Sequence, residues 1–458
     1  SNTAANTITT NGGAVLLASD ADGDGFGSIY VSSSGLTIDS RTGLAGSKST
    51  LGTGGGAITL AGGNQAGTGY ASGVSSTTAG GITSDGYLGL LSGGGDIAMR
   101  GRSWVGAVGT GYQAWGIAHW GSAGFVADSG VGKIYLEGIS RSSGTNSYKI
   151  GISTYYGVDL KSAYAGADAI KLVGSSTTTG AGWNHGVDLG SANESGSSST
   201  YQTLIASGVG GGISIIGTAN EWAVLIRNGT QLLTNGGPLN IKAGAGGAGA
   251  QLYLRNTSSQ WWGSAASSAV TSSTSSLLIE FDNFNFGNIA PNIATQGPVT
   301  WQPASNAFTG GGIWSSWFNW NQNAQVPSSI TLGKPGNTSG ITIDAALSAA
   351  GPITIYGGDI TANYGLTSTA SGSAISLTGT GKITLAASTT VQTLLGDISF
   401  KASSAGGTLG GIVLNASSAL KSFGGNITLG GGYDGSQGTG LYSATANAPG
   451  VLMTTNTI

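Results

Sequence analysis

Over its C-terminal third this chain presents a β-type run every seven or eight residues, as in "GPITIYG", "GDITANYG", "SAISLTG", "GKITLAAS" and "GDISFKAS". The steps run from Ile353 to Ile360, from Ile375 through Ile383 and Val391 to Ile398, and from Ile412 through Leu420 to Ile427. Within each run apolar residues alternate, the period-two signature of a half-buried strand. Gly, Ser, Asn or Asp bound the runs and supply turn geometry. This spacing leaves no room for a crossover helix and too little for hairpins of ordinary strand length. It fits a chain that turns a corner after each short strand and winds onto itself, three strands making a coil of about 22 residues. The expectation is an all-β parallel β-helix (β-solenoid) with three short strands per coil, inserted loops and almost no helix.

The N-terminal half repeats the unit at wider intervals. "GGAITLAGG" places Ile58, "GGDIAMRG" Ile97, "VGKIYLEG" Ile134, "ADAIKLVG" Ile170 and "GGGISIIG" Ile213. Each interval holds either one coil with an inserted loop or two coils, the second degenerate, and the spacing is compatible with both. The glycines are read as corner residues.

A single coil cannot bury its own inward face, whereas stacked coils cover one another and pair in parallel. Parallel stacking sets like residues over like, so charges repel and Ser, Thr and Asn are favoured. The composition agrees: 8% of residues are charged, against roughly 25% in ordinary domains. With 39% hydrophobic residues the chain is too apolar for simple disorder. Its 86 Gly accompany only 8 Pro and no strict triplet, which excludes collagen. The net charge is −3 with no basic run, so neither nucleic acid nor an anionic membrane surface is an expected partner. No apolar run reaches membrane-span length, so membrane insertion is not expected either.

The pattern breaks over residues 261–327, which hold Trp261, Trp262, Trp301, Trp314, Trp317 and Trp320. A smaller cluster, Trp104, Trp115 and Trp120, lies in "RSWVGAVGTGYQAWGIAHW". These rings either fill core or form exposed contact patches for glycans or a neighbouring fibre. The chain accordingly divides into a solenoid with long loops (1–260), atypical aromatic-rich coils or an insertion (261–327) and a regular solenoid (328–458).

The stretch "SSITLGKPGNTSGITIDAALSAAGPITIYGGDITANYGLTSTA", Ser328 to Ala370, resembles a segment of the filamentous-haemagglutinin-like, β-strand-repeat bacterial surface exoproteins. The recurring "GG-[ADN]-I-x-L" pattern extends the likeness more loosely along the chain. The resemblance implies a right-handed parallel β-helix, export to the cell surface or medium, and a role in adhesion, aggregation or biofilm. The chain carries no recognisable amino-terminal secretion domain and no RGD. Joining its ends gives "VLMTTNTISNTAANTITTNGGAVLL", continuous in idiom, so it is expected to be one segment of a longer or polymeric filament. Self-association end to end and laterally is the expected partnership.

Chemistry is sparse. Asp20, Asp22, Asp24 and Gly25 match the opening of a calcium loop, D-x-D-x-D-G, but Val31 stands where a bidentate Glu should close it. Calcium binding and a plain Asp/Gly corner both remain open. His119 and His185 lack ligand-type neighbours, there is no cysteine, and no G-x-S-x-G occurs. Asp159, Asp168, Asp188 and Glu194 are candidate acids that nothing in the sequence brings together. Asn-x-Ser/Thr sites such as Asn337, Asn415 and Asn426 read as ladder residues. The expected function is a structural extracellular filament or adhesin segment without catalysis. The alternatives are a glycan-binding module using Trp104, Trp115, Trp120, Trp301, Trp314, Trp317 and Trp320, and a polysaccharide-processing enzyme.

Overall fold

A computed structural model of the 458-residue chain describes residues 6–43, 54–63, 67–108, 113–144, 148–155, 157–177, 183–190, 203–227, 230–244, 251–255, 261–263, 274–286, 292–309, 313–314, 325–402, 410–431 and 451–454. Among these there is no helix, and the strands form long parallel ladders with no closed barrel. The fold is a parallel β-helix. The chain forms two compact units, Ser1–Ser267 with Phe284–Ile289, and Ser268–Asn283 with Ala290–Ile458. The division falls inside the aromatic-rich segment.

In the second unit each coil contributes three strands, and each strand finds its counterpart one coil on. Ile330, Ile353, Ile375, Ile398 and Ile427 pair successively in register. So do Ile341, Ile360, Ile383, Ile412 and Val451 on a second face. Leu347, Leu366, Val391 and Leu420 form the third. Ile353, Ile375, Ile398, Ile360, Ile383, Leu366 and Val391 are completely buried. Each such side chain contributes roughly 1.5–3 kcal/mol when removed from water. Beside the first column runs an uncharged one, Thr331, Thr354, Ser376, Ser399 and Thr428. Asn415 satisfies its side chain on the Leu385 carbonyl (2.8 Å), and Asn337 on that of Tyr356 (2.8 Å).

The first unit settles the open question about wide intervals. Ile58, Ile97, Ile134, Ile170 and Ile213 pair directly, each with the next. Each interval is therefore one coil. The extra length lies in longer strands and loops: Ile134–Ser140, Tyr148–Thr154 and Ile170–Ser176 have seven residues each.

The glycine closing each octet has a role other than the corner expected of it. Gly101, Gly138, Gly174 and Gly217 lie within strands, in register, one over another. They continue the inward alternation Ile134, Leu136, Gly138, Ser140. A second column, Gly116, Gly151 and Gly186, belongs to the strands Gln113–His119, Tyr148–Thr154 and Asn184–Leu189. The two columns meet backbone to backbone. A Cβ on Gly138 would lie 2.0 Å from the Gly151 carbonyl oxygen, and one on Gly174 2.1 Å from that of Gly186. Glycine is needed here for close approach of two backbones. True corner glycines do occur, for example Gly35 at φ 73° and Gly93 at φ 68°.

Candidate functional site

The first unit carries an aromatic strip on one parallel sheet. Its strands are Ile29–Val31, Ile82–Ser84, Gln113–His119, Tyr148–Thr154, Asn184–Leu189 and Trp222–Arg227, paired in that order. In-register stacking sets Gln113, Tyr148 and Trp183 along one line and Trp115, Ile150, His185 and Trp222 along the next. Ring centroids are 5.4 Å apart for Tyr148 and Trp183, 6.0 Å for Trp115 and Trp120, and 4.9 Å for His185 stacked on Trp222. A depression of about 480 Å³ opens among Trp120, Tyr148, Tyr155, Trp183, Asp188 and Arg227. A second, of about 620 Å³, shares Gln113, Trp115 and Trp120 with it and extends to Tyr30 and Asp85. The strip is thus continuous from Tyr30 to Arg227.

A buried ionic cluster underlies it. Asp188 accepts Nε and Nη2 of Arg227 at 3.0 and 2.9 Å, and lies 3.0 Å from His185 Nδ1. The Arg227 guanidinium also sits 5.6 Å from the Trp183 ring centroid. Burial pushes the Asp188 carboxyl up, but the Arg227 charge and the His185 ring outweigh it and hold it down to about 2. His119, buried against Phe125, is pushed down to about 4 by burial, partly offset by the Gly121 backbone, and is neutral at physiological pH.

The tryptophans expected as contacts separate. Trp120 is 41% exposed. Trp104 is half-buried against Phe26 (5.4 Å) and a small cluster of Ala79, Val108 and Ala114. Trp115 is mostly buried, packed with Ala118 and Ile150 beneath Trp120. Trp301 is completely buried, paired in register with Ile279 and Leu332 and packed on Phe281. It is a core residue, which removes it from any contact surface. Trp314 lies on the strand Ile313–Trp314. Trp317 and Trp320 lie outside the described residues. Sequence reasoning missed Tyr148, Tyr155, Trp183 and Arg227. No step of the isoleucine ladder carries Gln113 onto Tyr148 or Trp183; the strand register alone brings them together.

Asp20, Asp22 and Asp24 can bring one carboxylate oxygen each within 4.8 Å of the others. Asp20 is already engaged. One oxygen accepts the Gly25 amide (2.9 Å) and the other lies 3.6 Å from Arg102 Nη2. Asp24 accepts the Phe26 amide (2.9 Å). These contacts are what a corner requires, and Arg102 supplies positive charge beside Asp20. The candidate acids do not converge: Asp159 pairs with Lys161, Asp168 with Lys171, and Asp188 with Arg227. Glu194 lies outside the described residues.

No family model, curated protein or solved structure matches this chain.

Proposed function

We propose that the chain is a structural segment of an extracellular or bacterial-surface β-solenoid filament that assembles end to end and serves adhesion, aggregation or biofilm. The observation that carries this reading is the exposed end of a ladder among the described residues. Ile353, Ile375 and Ile398 are completely buried, yet Ile427, next in the same column, is 44% exposed. Met453, on another strand of that unit, is 65% exposed. A further coil stacked there, from a second copy or from continuing polypeptide, would bury these side chains and pair the edge. The uncharged Ser/Thr columns and the haemagglutinin-like stretch Ser328 to Ala370 support the same reading. Separate ion pairing of Asp159, Asp168 and Asp188 argues against catalysis by these three. In sedimentation and electron microscopy the chain is expected to form end-to-end species. Ile427→Lys should weaken association about tenfold or more, from the lost burial of one aliphatic side chain. Monodisperse monomer at high concentration would overturn the assembly.

The aromatic strip favours a second reading, contact with carbohydrate. Trp120, Tyr148 and Tyr155 present rings at about 40% exposure beside Gln113, Asp188 and Arg227. Apolar ring faces next to polar groups are what a sugar's C–H face and hydroxyls require. Binding to polysaccharides on a glycan array is expected to fall about tenfold in Trp120→Ala. Tyr364→Ala, an exposed ring in the other unit, should leave it unchanged. Equal binding by both variants would eliminate the strip as the contact.

A further inference from the structure

One buried amine in the first unit has no role in either reading. Lys149 is completely buried, and its Nζ has no hydrogen-bond partner. A buried ammonium without a counter-charge is costly, and burial pushes the Lys149 pKa down, toward the neutral, nucleophilic amine. Lys149 stands two residues before Gly151, so it shares the inward face on which Gly151 meets the opposing backbone.

The ladder determines what lies beside it. Lys149 pairs in register with Asn184, which is also buried. The next rung brings Glu221, whose Oε2 accepts the Asn184 backbone amide at 3.0 Å. His185 pairs with Trp222 on that rung, so Asn184 and Glu221 occupy one column. Three consecutive coils therefore stack an amine, a carboxamide and a carboxylate. Rungs are about 4.8 Å apart, a gap that a lysine side chain folded along the column can span.

We propose that Lys149 and Asn184 become joined by an intramolecular isopeptide bond. The neutral Nζ lone pair attacks the Asn184 side-chain carbonyl carbon. The Nζ–Cγ bond forms, the Cγ–Nδ2 bond breaks, and Nδ2 departs as ammonia after taking the proton that Nζ gives up. Glu221 carries that proton between the two nitrogens. No oxidant or cofactor is required, and the product removes the unsatisfied amine. The bond fastens adjacent coils covalently beneath the aromatic strip.

The test is the intact mass of the purified full-length chain, followed by proteolysis and fragmentation. The expected result is a mass lower than the sequence mass by one ammonia, with a branched peptide linking Lys149 to Asn184. Lys149→Arg should abolish the mass deficit and leave only linear peptides. Glu221→Gln should slow or abolish the linkage in a protein whose circular dichroism remains β-type. A folded wild-type chain at full sequence mass would overturn the proposal without reference to any variant. Ammonia loss with Lys149 and Asn184 in separate linear peptides would overturn it equally.

Discussion

Gly138→Ala and Gly174→Ala are expected to be strongly damaging single-methyl changes in the first unit, each costing about 3 kcal/mol or more. The added Cβ would meet a backbone carbonyl oxygen at 2.0 or 2.1 Å. Neither side can yield cheaply. Gly138 is held between Gly101 and Gly174 in one ladder, while Gly151 lies in another between the strands Gln113–His119 and Asn184–Leu189. Relief requires parting the two sheets, which also loosens the Ile134 and Leu136 columns. Because each coil depends mainly on its neighbours, the damage should be local. Hydrogen exchange should show lost protection in Ile134–Ser140 and Tyr148–Thr154 for Gly138→Ala. The second unit should keep its protection. Gly340→Ala, where the nearest neighbour is the Asp359 carbonyl at 3.5 Å, should change stability by no more than about 0.5 kcal/mol. Equal melting of Gly138→Ala and Gly340→Ala would show that the columns tolerate a side chain.

Asp188→Asn should destabilise the same unit by about 3 kcal/mol at neutral pH. The neutral amide takes the Asp188 charge away from the buried Arg227 guanidinium, and its NH2 would face donors already directed at that site. The pH dependence follows from the depressed carboxyl. Asp188 titrates at about 2 in the fold, against 3.8 for an unperturbed carboxyl. Its contribution is therefore present above the unfolded value and is lost as pH falls through the folded one. That shift corresponds to about 2 kcal/mol. The gap between wild type and Asp188→Asn should be widest above pH 3.8 and narrow as pH approaches 2. Denaturation midpoints measured across this range check the sign; a gap that widens on acidification would refute it.

Much of the architecture could be read directly. The step of seven or eight residues from Ile353 to Ile360 and from Ile375 to Ile383 leads to three strands per coil, and their pairings follow it. The five N-terminal isoleucines marked one column even though their intervals were ambiguous. The aromatic strip was only half legible. Trp115 and Trp120 drew attention as a cluster, but Tyr148 and Trp183 lie one and two coils away and join the site through register alone. Trp301 misled because composition does not distinguish an inward ring from an outward one; its pairing with Leu332 does. The Asp20 cluster has calcium-loop spacing, and its Arg102 neighbour, far off in sequence, is brought beside it two rungs along the ladder.

The sequence by itself determined the winding: alternation sets which side chains face inward, turn residues set strand length, and charge depletion permits like to stack on like. Tertiary structure decided everything that depends on which residue of one coil lies over which residue of another. It turned apparent corner glycines into a seam between two sheets. It set Arg227 on Asp188 and stacked Lys149, Asn184 and Glu221 in one column. The physical reason is that a parallel ladder converts a separation of a whole coil, with loops of any length between, into a contact of one rung.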